Sequence, residues 1–386
     1  MNRRFTADYI FPVNVKPIKE GVVELDAEGN IMEISAKRRG DETYWQGIIC
    51  PGFVNVHCHT EWSFVRGLIS ENTGIDHFIS ELERLKKLFS MNEIQDSIAV
   101  SLDEMYNNGI VAVGDLMNTD WSKVAKANSS IEFYNFIEVY GLRSDQCDTI
   151  WDKALALYHS VESPKNIIPH SPYSLSKELF EKVHVFQKKN QTLSLHLLES
   201  QGEVDYFMEA KGPLFERFKR WGLPIPSTIS TAKRPLQSVV DFIQNSNRIL
   251  LIHNTFINEE DLLFANEHLM EVYYGLCPNA NLFIENQLPP LDLLRQKEAI
   301  ICLGTDSLAS NHQLSILSEM KTLQANFNIG LEELIQFACL NGAKALGISN
   351  QFGSLEIAKK PGLVLIENVF EQDNFNLRNA TAKRIA

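Results

Sequence analysis

Eight short apolar runs, separated by amphipathic stretches and often ending in a polar or ionisable residue, constrain this chain more than any other feature. The runs are IICPGFVNVHCH (48–59), IVAVGDLM (110–117), EFYNFIEVY (132–140), NIIPHS (166–171), TLSLHLLE (192–199), RILLIHNT (248–255), EVYYGLCP (271–278) and AIICLGTD (299–306). The intervening stretches, such as ISELERLKKLF and DSIAVSLDEMYNNG, carry apolar residues at helical spacing. Strands that alternate with helices imply βαβ units and a parallel sheet. Val/Ile/Leu-rich runs are expected where both strand faces are covered. The expected fold is therefore α/β, a TIM-like (β/α)8 barrel over residues 51–353. A doubly wound open sheet is the rival, and its mark is missing, since no G-x-G-x-x-G follows an early strand.

The ends of the chain read differently. DYIFPVNVKPI, GVVELD and IMEIS are short strands around Gly and Asn turns, and PGLVLIENVF near the C-terminus is similar. Residues 1–50 and 354–386 are expected to pair as one small composite domain, a β-sandwich built from both termini. The longest connection, about 200 to 247, is placed to act as a lid.

Composition narrows the function classes. With 44% hydrophobic and 22% charged residues the chain is ordinarily globular, which excludes disorder, collagen-like repeats and a disulfide scaffold. Its net charge of −13 disfavours nucleic acid as a partner. The six cysteines (Cys50, Cys58, Cys147, Cys277, Cys302 and Cys339) show no CxxC and read as reduced, buried hydrophobes. No run approaches the roughly 18 apolar residues of a membrane helix, and the N-terminus does not read as a signal peptide. The expectation is a soluble, cytoplasmic protein without a membrane partner.

The chemistry sits at the strand ends. His57 and His59 form an H-x-H whose spacing of two puts both imidazoles on one side of a strand, within reach of one ion. His196 closes the fifth run, His253 the sixth and Asp306 the eighth, and barrel closure makes the first and eighth strands neighbours. Four histidines and an aspartate at the C-terminal ends of strands stand where barrel chemistry occurs. Such a donor set suits zinc, and less selectively iron, manganese or nickel. His77, His159, His184 and His268 lie in helical or connecting stretches and read as surface or packing residues, and His312 follows the eighth run by a short loop.

Taken together, PGFVNVHCHTE, PHSPYS, SLHLLES, LLIHN, GLCPNANL and GTDSLASN resemble the amidohydrolase superfamily. Within it they are similar to the deaminase and chlorohydrolase branch, which includes methylthioadenosine/adenosylhomocysteine, aminodeoxyfutalosine and guanine deaminases. LNGAKALGI and GSLEIAKKPGLVLI resemble that branch's C-terminal signature, although PGL stands where many relatives carry ADL. The resemblance implies His57, His59, His196 and Asp306 as ligands of one divalent metal, with His253 beside the attacking water. It implies Glu199, in the H-x-x-E of 196–199, as the group that shuttles a proton to a ring nitrogen. NIIPHS has no lysine to bridge two metals, and His170 takes the position of a substrate-contacting histidine. Substrate binding is thus expected at His170, Glu199 and His253, and catalysis at Glu199, His253 and Asp306.

The same roles follow from chemistry. A cation lowers the pKa of water towards neutrality, Asp306 can accept the proton released, and protonating a ring nitrogen lowers the barrier to breaking aromaticity. The expected activity is metal-dependent hydrolytic deamination of a small amino-heterocycle, most of all the adenine of a 5′-substituted nucleoside. The alternatives are a guanine, cytosine or triazine deaminase, a chlorohydrolase, a cyclic-amide hydrolase, or a non-catalytic relative. A homodimer is compatible with all of them. Glu81, Glu83, Arg143, Trp62 and Phe64 are further candidates for contact with the nucleoside, each with a plain surface or packing reading as well.

Overall fold

A computed structural model describes residues 2–162, 164–223, 232–371 and 374–386. Among these, eight parallel strands follow the eight apolar runs: β1 (Phe53–Cys58), β2 (Ile110–Met117), β3 (Glu132–Val139), β4 (Lys165–Pro169), β5 (Thr192–Leu197), β6 (Arg248–His253), β7 (Glu271–Leu276) and β8 (Ile300–Leu303). They form two four-stranded sheets, β1-β2-β3-β4 and β5-β6-β7-β8, each in sequential order. The sheets abut at both edges. At one seam the His196 N–H donates to the His170 carbonyl at 2.9 Å; at the other Thr305 and Asp306 N–H groups both donate to the His57 carbonyl at 3.1 Å.

The β8–β1 seam is tight because Gly304 permits it. A Cβ there would meet the His57 Cβ at 2.8 Å. Buried Asn55 welds the same seam, donating to Thr305 Oγ1 at 2.8 Å and accepting from Thr305 N–H at 3.1 Å. Val54, Val56, Leu116, Phe136, Ile252 and Cys302 pack with Ala343 and Leu346 in one apolar cluster. A second, larger cluster lies between strands and helices. There the amphipathic helices α1 (Gly74–Leu85) and α2 (Met91–Asn107) bury Ile75, Phe78, Ile94, Ile98 and Leu102. α2 starts where its sequence says it should: Ser90 accepts from Glu93 N–H and Glu93 answers to Ser90 N–H, a capping box.

The run 48–59 does not form one strand. It divides at Gly52, whose N–H donates to the Pro361 carbonyl at 3.1 Å and where a Cβ would lie 2.1 Å from the Val111 side chain. The first half belongs to a strand Thr43–Pro51 in a different sheet. That sheet has seven strands and unites both termini: the N-terminal strands between Arg3 and Pro51 with Leu363–Glu367 and Thr381–Arg384. The expected pairing of the two ends is present, through Leu363–Ile366 against Ile48–Pro51. The arrangement is one sheet with a two-stranded ribbon (Phe370–Glu371 and Asn374–Phe375) near Tyr9 and Phe11, where a sandwich was expected. Strand periodicity reports which face is buried, not how many sheets share it.

The 200–247 connection holds α3 (Gln201–Glu209), α4 (Pro213–Arg220) and a third helix, Pro235–Ile243. The middle of the expected lid, residues 224–231, lies outside the described residues. Among the described residues no helix is long and apolar enough to cross a membrane.

Candidate metal centre and substrate cavity

The strand ends deliver four side chains to one point. His57, His59 and His196 offer ring nitrogens that all lie within 4.8 Å of one another. Asp306 Oδ1 is 3.7 Å from both His57 Nε2 and His59 Nε2. The His196 Nδ1–H donates to the His170 carbonyl at 2.9 Å, so its lone pair is on Nε2, which faces His59 Nε2 at 3.2 Å. Two such nitrogens belong that close when a cation sits between them; tetrahedral zinc at about 2.0–2.1 Å from each nitrogen places its ligands about 3.3 Å apart.

His57 makes the same point more sharply. It is fully buried and neither ring nitrogen has a hydrogen-bond partner, a state that is costly without a ligand. Burial pushes the pKa values of His57 and His196 down, and His253 to about 3, so these imidazoles stay neutral and keep their lone pairs. Burial pushes the Asp306 carboxyl up, yet His57, His59 and His253 outweigh it and hold it below the ordinary carboxylate range. Its Oδ2 accepts from Ser310 Oγ at 2.6 Å, which leaves Oδ1 for the histidine side. The donor set fits a divalent cation.

Backbone strain turns these side chains. His253 and Asp306 adopt φ of 71° and 56°, and Leu198, just before Glu199, has φ of 53°. Non-glycine residues there cost about 1–2 kcal/mol each, and such strain clusters at functional sites. Glu199 is buried with Oε1 3.5 Å from His253 Nε2. Burial, and then the nearby charges of Asp306 and Glu203, raise its pKa well above the ordinary value. Asn281 Nδ2 lies 3.3 Å from His253 Nδ1 and steadies that ring.

A cavity of about 330 Å³ opens from this cluster, within the range of small-molecule sites. His59, His170, His196, Glu199, His253 and Asp306 line its inner end. Its mouth is apolar, between α1 (Ile75, Phe78, Leu82) and α4 (Leu214, Phe218). Of the paired candidates on α1, Glu83 lines the cavity, whereas Glu81 is held by Arg84 at 2.8 Å. Trp62 lines it too, and Phe64 packs behind against Phe89. Arg143 stands at the mouth, half-exposed beside Asp145 at 3.3 Å. His312 is outside, exposed and 3.1 Å from Glu71. His184 and His268 bond the Phe242 and Phe264 carbonyls, in the packing roles read from sequence.

Three residues escaped the sequence reading. Asp115 is buried at the end of β2 and accepts from Thr60 N–H and Oγ1 at 2.9 and 2.8 Å, fixing the turn after H-x-H. Glu138 is buried near the end of β3 and lines the cavity. Arg217 is buried between α4 and α1. A carboxylate within an apolar run was the available signal for the first two; nothing local marked Arg217.

Comparison with known proteins agrees with this geometry. A model described as the amidohydrolase family matches residues 48–382. The chain is 25% identical over 359 residues to a 5-methylthioadenosine/S-adenosylhomocysteine deaminase of Saccharophagus degradans, covering 86% of this chain and 74% of the relative. It is 27% identical over 328 residues to an adenosine deaminase of Helicobacter pylori, covering 82% and 78%. In fold it is similar to an aminofutalosine deaminase of Helicobacter pylori solved with methylthio-coformycin: the TM-score is 0.82 at 20% identity, with all of both chains covered.

Proposed function

Because the chain belongs to the amidohydrolase family, we propose that it is a metal-dependent deaminase releasing ammonia from the adenine of a nucleoside, with a 5′ substituent reaching the apolar mouth. In this reading the two parallel sheets close as one (β/α)8 barrel over 51–353, and 1–50 with 354–386 form the small domain. His57, His59, His196 and Asp306 hold one divalent ion, zinc before iron, manganese or nickel. That all six cysteines are buried and free supports a cytoplasmic setting.

The observation that carries the proposal is Glu199, a buried carboxyl whose pKa burial raises, within reach of His253 at the inner end of the cavity. When bound, the cation supplies Lewis acidity and lowers the pKa of water towards neutrality. Asp306 Oδ1 is placed to take the proton that water gives up. Glu199 donates its proton to a ring nitrogen, so the ring loses aromaticity without gathering negative charge. His253, neutral at physiological pH, offers a hydrogen-bonding nitrogen and no competing charge. The C–O bond forms, Asp306 passes the proton it took to the amino group, the C–N bond breaks to release ammonia, and the hydroxyl proton returns to Glu199, leaving a ring C=O and N–H.

The deciding experiment is a liquid-chromatography screen of the metal-loaded enzyme against adenosine, methylthioadenosine, adenosylhomocysteine and aminodeoxyfutalosine. Conversion of at least one to its inosine counterpart is expected. Turnover of free guanine, cytosine or a triazine orders of magnitude faster than every nucleoside overturns the substrate class.

A further inference from the structure

Asn279 of GLCPNANL, on α5 (Pro278–Glu285), and Asn311 of GTDSLASN do not line the substrate cavity, yet both turn to one buried carboxyl. It belongs to Glu319 on α6 (Ile316–Asn326), whose other buried residues include Ile316, Leu317, Met320 and Leu323. Glu319 Oε1 accepts from Asn279 Nδ2 at 2.9 Å and from Asn311 Nδ2 at 2.8 Å, and its Oε2 accepts from the Asn279 N–H at 2.9 Å. Each of these bonds leaves α6 for a segment that follows β7 or β8. An apolar side chain would pack that face of the helix without the cost of burying a carboxyl. The carboxyl therefore serves the segments it bonds.

Both segments end on a reacting group. On the β8 side, Asn311 Nδ2 also donates to the Thr305 carbonyl at 2.9 Å. That carbonyl is the oxygen end of the peptide whose nitrogen end, the Asp306 N–H, donates to the His57 carbonyl at 3.1 Å. A peptide unit is planar, so holding it at both ends fixes the plane from which Asp306 departs with its left-handed φ of 56°. Such a conformation persists only where its surroundings enforce it. On the β7 side, α5 begins at Cys277 without a side-chain cap, and Glu319 Oε2 takes one of its free first-turn N–H groups. α5 carries Asn281, whose Nδ2 lies 3.3 Å from His253 Nδ1 and donates to Thr255 Oγ1 at 2.7 Å. One carboxyl braces the backbone behind Asp306 and the helix behind His253.

We propose that Glu319 is a positioning residue that sets Asp306 and His253 relative to each other, and so governs proton transfer rather than nucleoside binding. The inference rests on the deaminase reading above, through the roles given there to those two residues. A reacting group misplaced by about 1 Å can cost about a hundredfold in rate. Burial raises the Glu319 pKa to about 8. Protonated or not, both of its oxygens accept, which the NH2 of a glutamine cannot do. Whichever way that amide turns, an N–H then faces an N–H.

The test compares wild type, Glu319→Gln, Asn311→Ala and, as a packing control on the same helix, Leu323→Ala. Each is loaded with cobalt(II), whose visible absorption reports ligand geometry. Glu319→Gln is expected to keep its metal and to change the position and intensity of the cobalt bands. Its kcat on the nucleoside that wild type turns over fastest should fall by about tenfold or more, with KM within about threefold. Asn311→Ala should reproduce the spectral change, and it decides the matter if the Gln variant folds poorly. Leu323→Ala should lower the melting temperature while the spectrum, and kcat per folded metal-loaded chain, stay as in wild type. A wild-type spectrum in Glu319→Gln, a kcat lowered no further than in Leu323→Ala, or a loss carried by KM overturns the inference and leaves the deaminase reading standing. A wild type that turns over no nucleoside overturns the deaminase reading, and the spectra still decide whether Glu319 sets Asp306.

Discussion

The inner end of the cavity and its mouth are built on different principles. At the inner end the functional side chains stand at or within three residues of the ends of parallel strands, and backbone fixes two of them: His196 by the His170 carbonyl, and Asp306 by its own N–H on the His57 carbonyl. At the mouth, α1 and α4 face each other with apolar side chains, and beside an exposed pair of Arg220 with Asp76 at 3.5 Å their buried charged tie is Arg217. Its Nη1 donates to the Asp76 carbonyl at 2.6 Å and to Asp76 Oδ1 at 3.0 Å, and its Nη2 to Ser80 Oγ at 2.8 Å. Strand ends hold chemistry to fractions of an ångström, as proton transfer requires.

The largest effect should come from breaking the inner end. His57→Ala is expected to remove most of the metal and to lower kcat/KM by about a thousandfold or more, since the cation supplies several kcal/mol of charge stabilisation. Elemental analysis beside kinetics checks both halves. A variant that keeps one metal equivalent would show that the orphaned nitrogens of His57 have another use.

Glu199→Gln should keep the metal and the fold while lowering turnover by about 10²–10⁴-fold. The pH profile sharpens the assignment. Glu199 acts while protonated, and burial raises its pKa, so wild-type kcat/KM should fall as pH rises through a value above the ordinary carboxyl range. The Gln variant should lack that fall. A wild-type profile that instead rises with alkalinity through the same range would make Glu199 a base.

Arg217→Met tests the mouth alone. Loss of a buried arginine whose partner Asp76 is partly solvated should cost about 3 kcal/mol of stability, read by denaturant unfolding. Below its melting range, KM for a nucleoside with a bulky 5′ group should rise while kcat on adenosine stays near wild type. Equal loss on both substrates would mean that the clasp supports the inner end as well.

The smallest effect concerns Glu203, on α3 behind Glu199. Its Oε2 accepts from the Glu199 N–H at 3.1 Å, and burial raises its pKa to about 8. The folded protein therefore holds a proton that the unfolded chain releases near pH 4.5, and Glu203 contributes stability at low pH that fades as pH rises towards 8. Glu203→Gln should flatten that decline, so that its melting temperature relative to wild type improves between pH 5 and pH 8. A constant gap across that range would show that Glu203 titrates normally.

Much of the inner end was legible beforehand because it obeys local rules. H-x-H on a strand declares two imidazoles on one side, and the apolar runs mark β1 to β8 to within a few residues. The break at Gly52 was hidden, because the residues on either side are equally apolar and only the approach of Pro361 and Val111 separates them. Glu81 and Glu83 looked alike in the sequence, and helix rotation distinguished them, one turned to Arg84 and the other to the cavity.

By itself the sequence determined the strands, the helices between them, and which ionisable residues stand at strand ends, since these follow from periodicity over a few neighbours. Only the tertiary structure decided that Asp306 meets His57 and His59, that Asn55 bonds Thr305 across 250 residues, that His253 and Asp306 take left-handed backbone, and that Glu138 keeps an unpartnered oxygen. Each depends on which distant groups fill the space around a residue. Hydrogen bonds and burial are settled by that filling, and no local spacing encodes it.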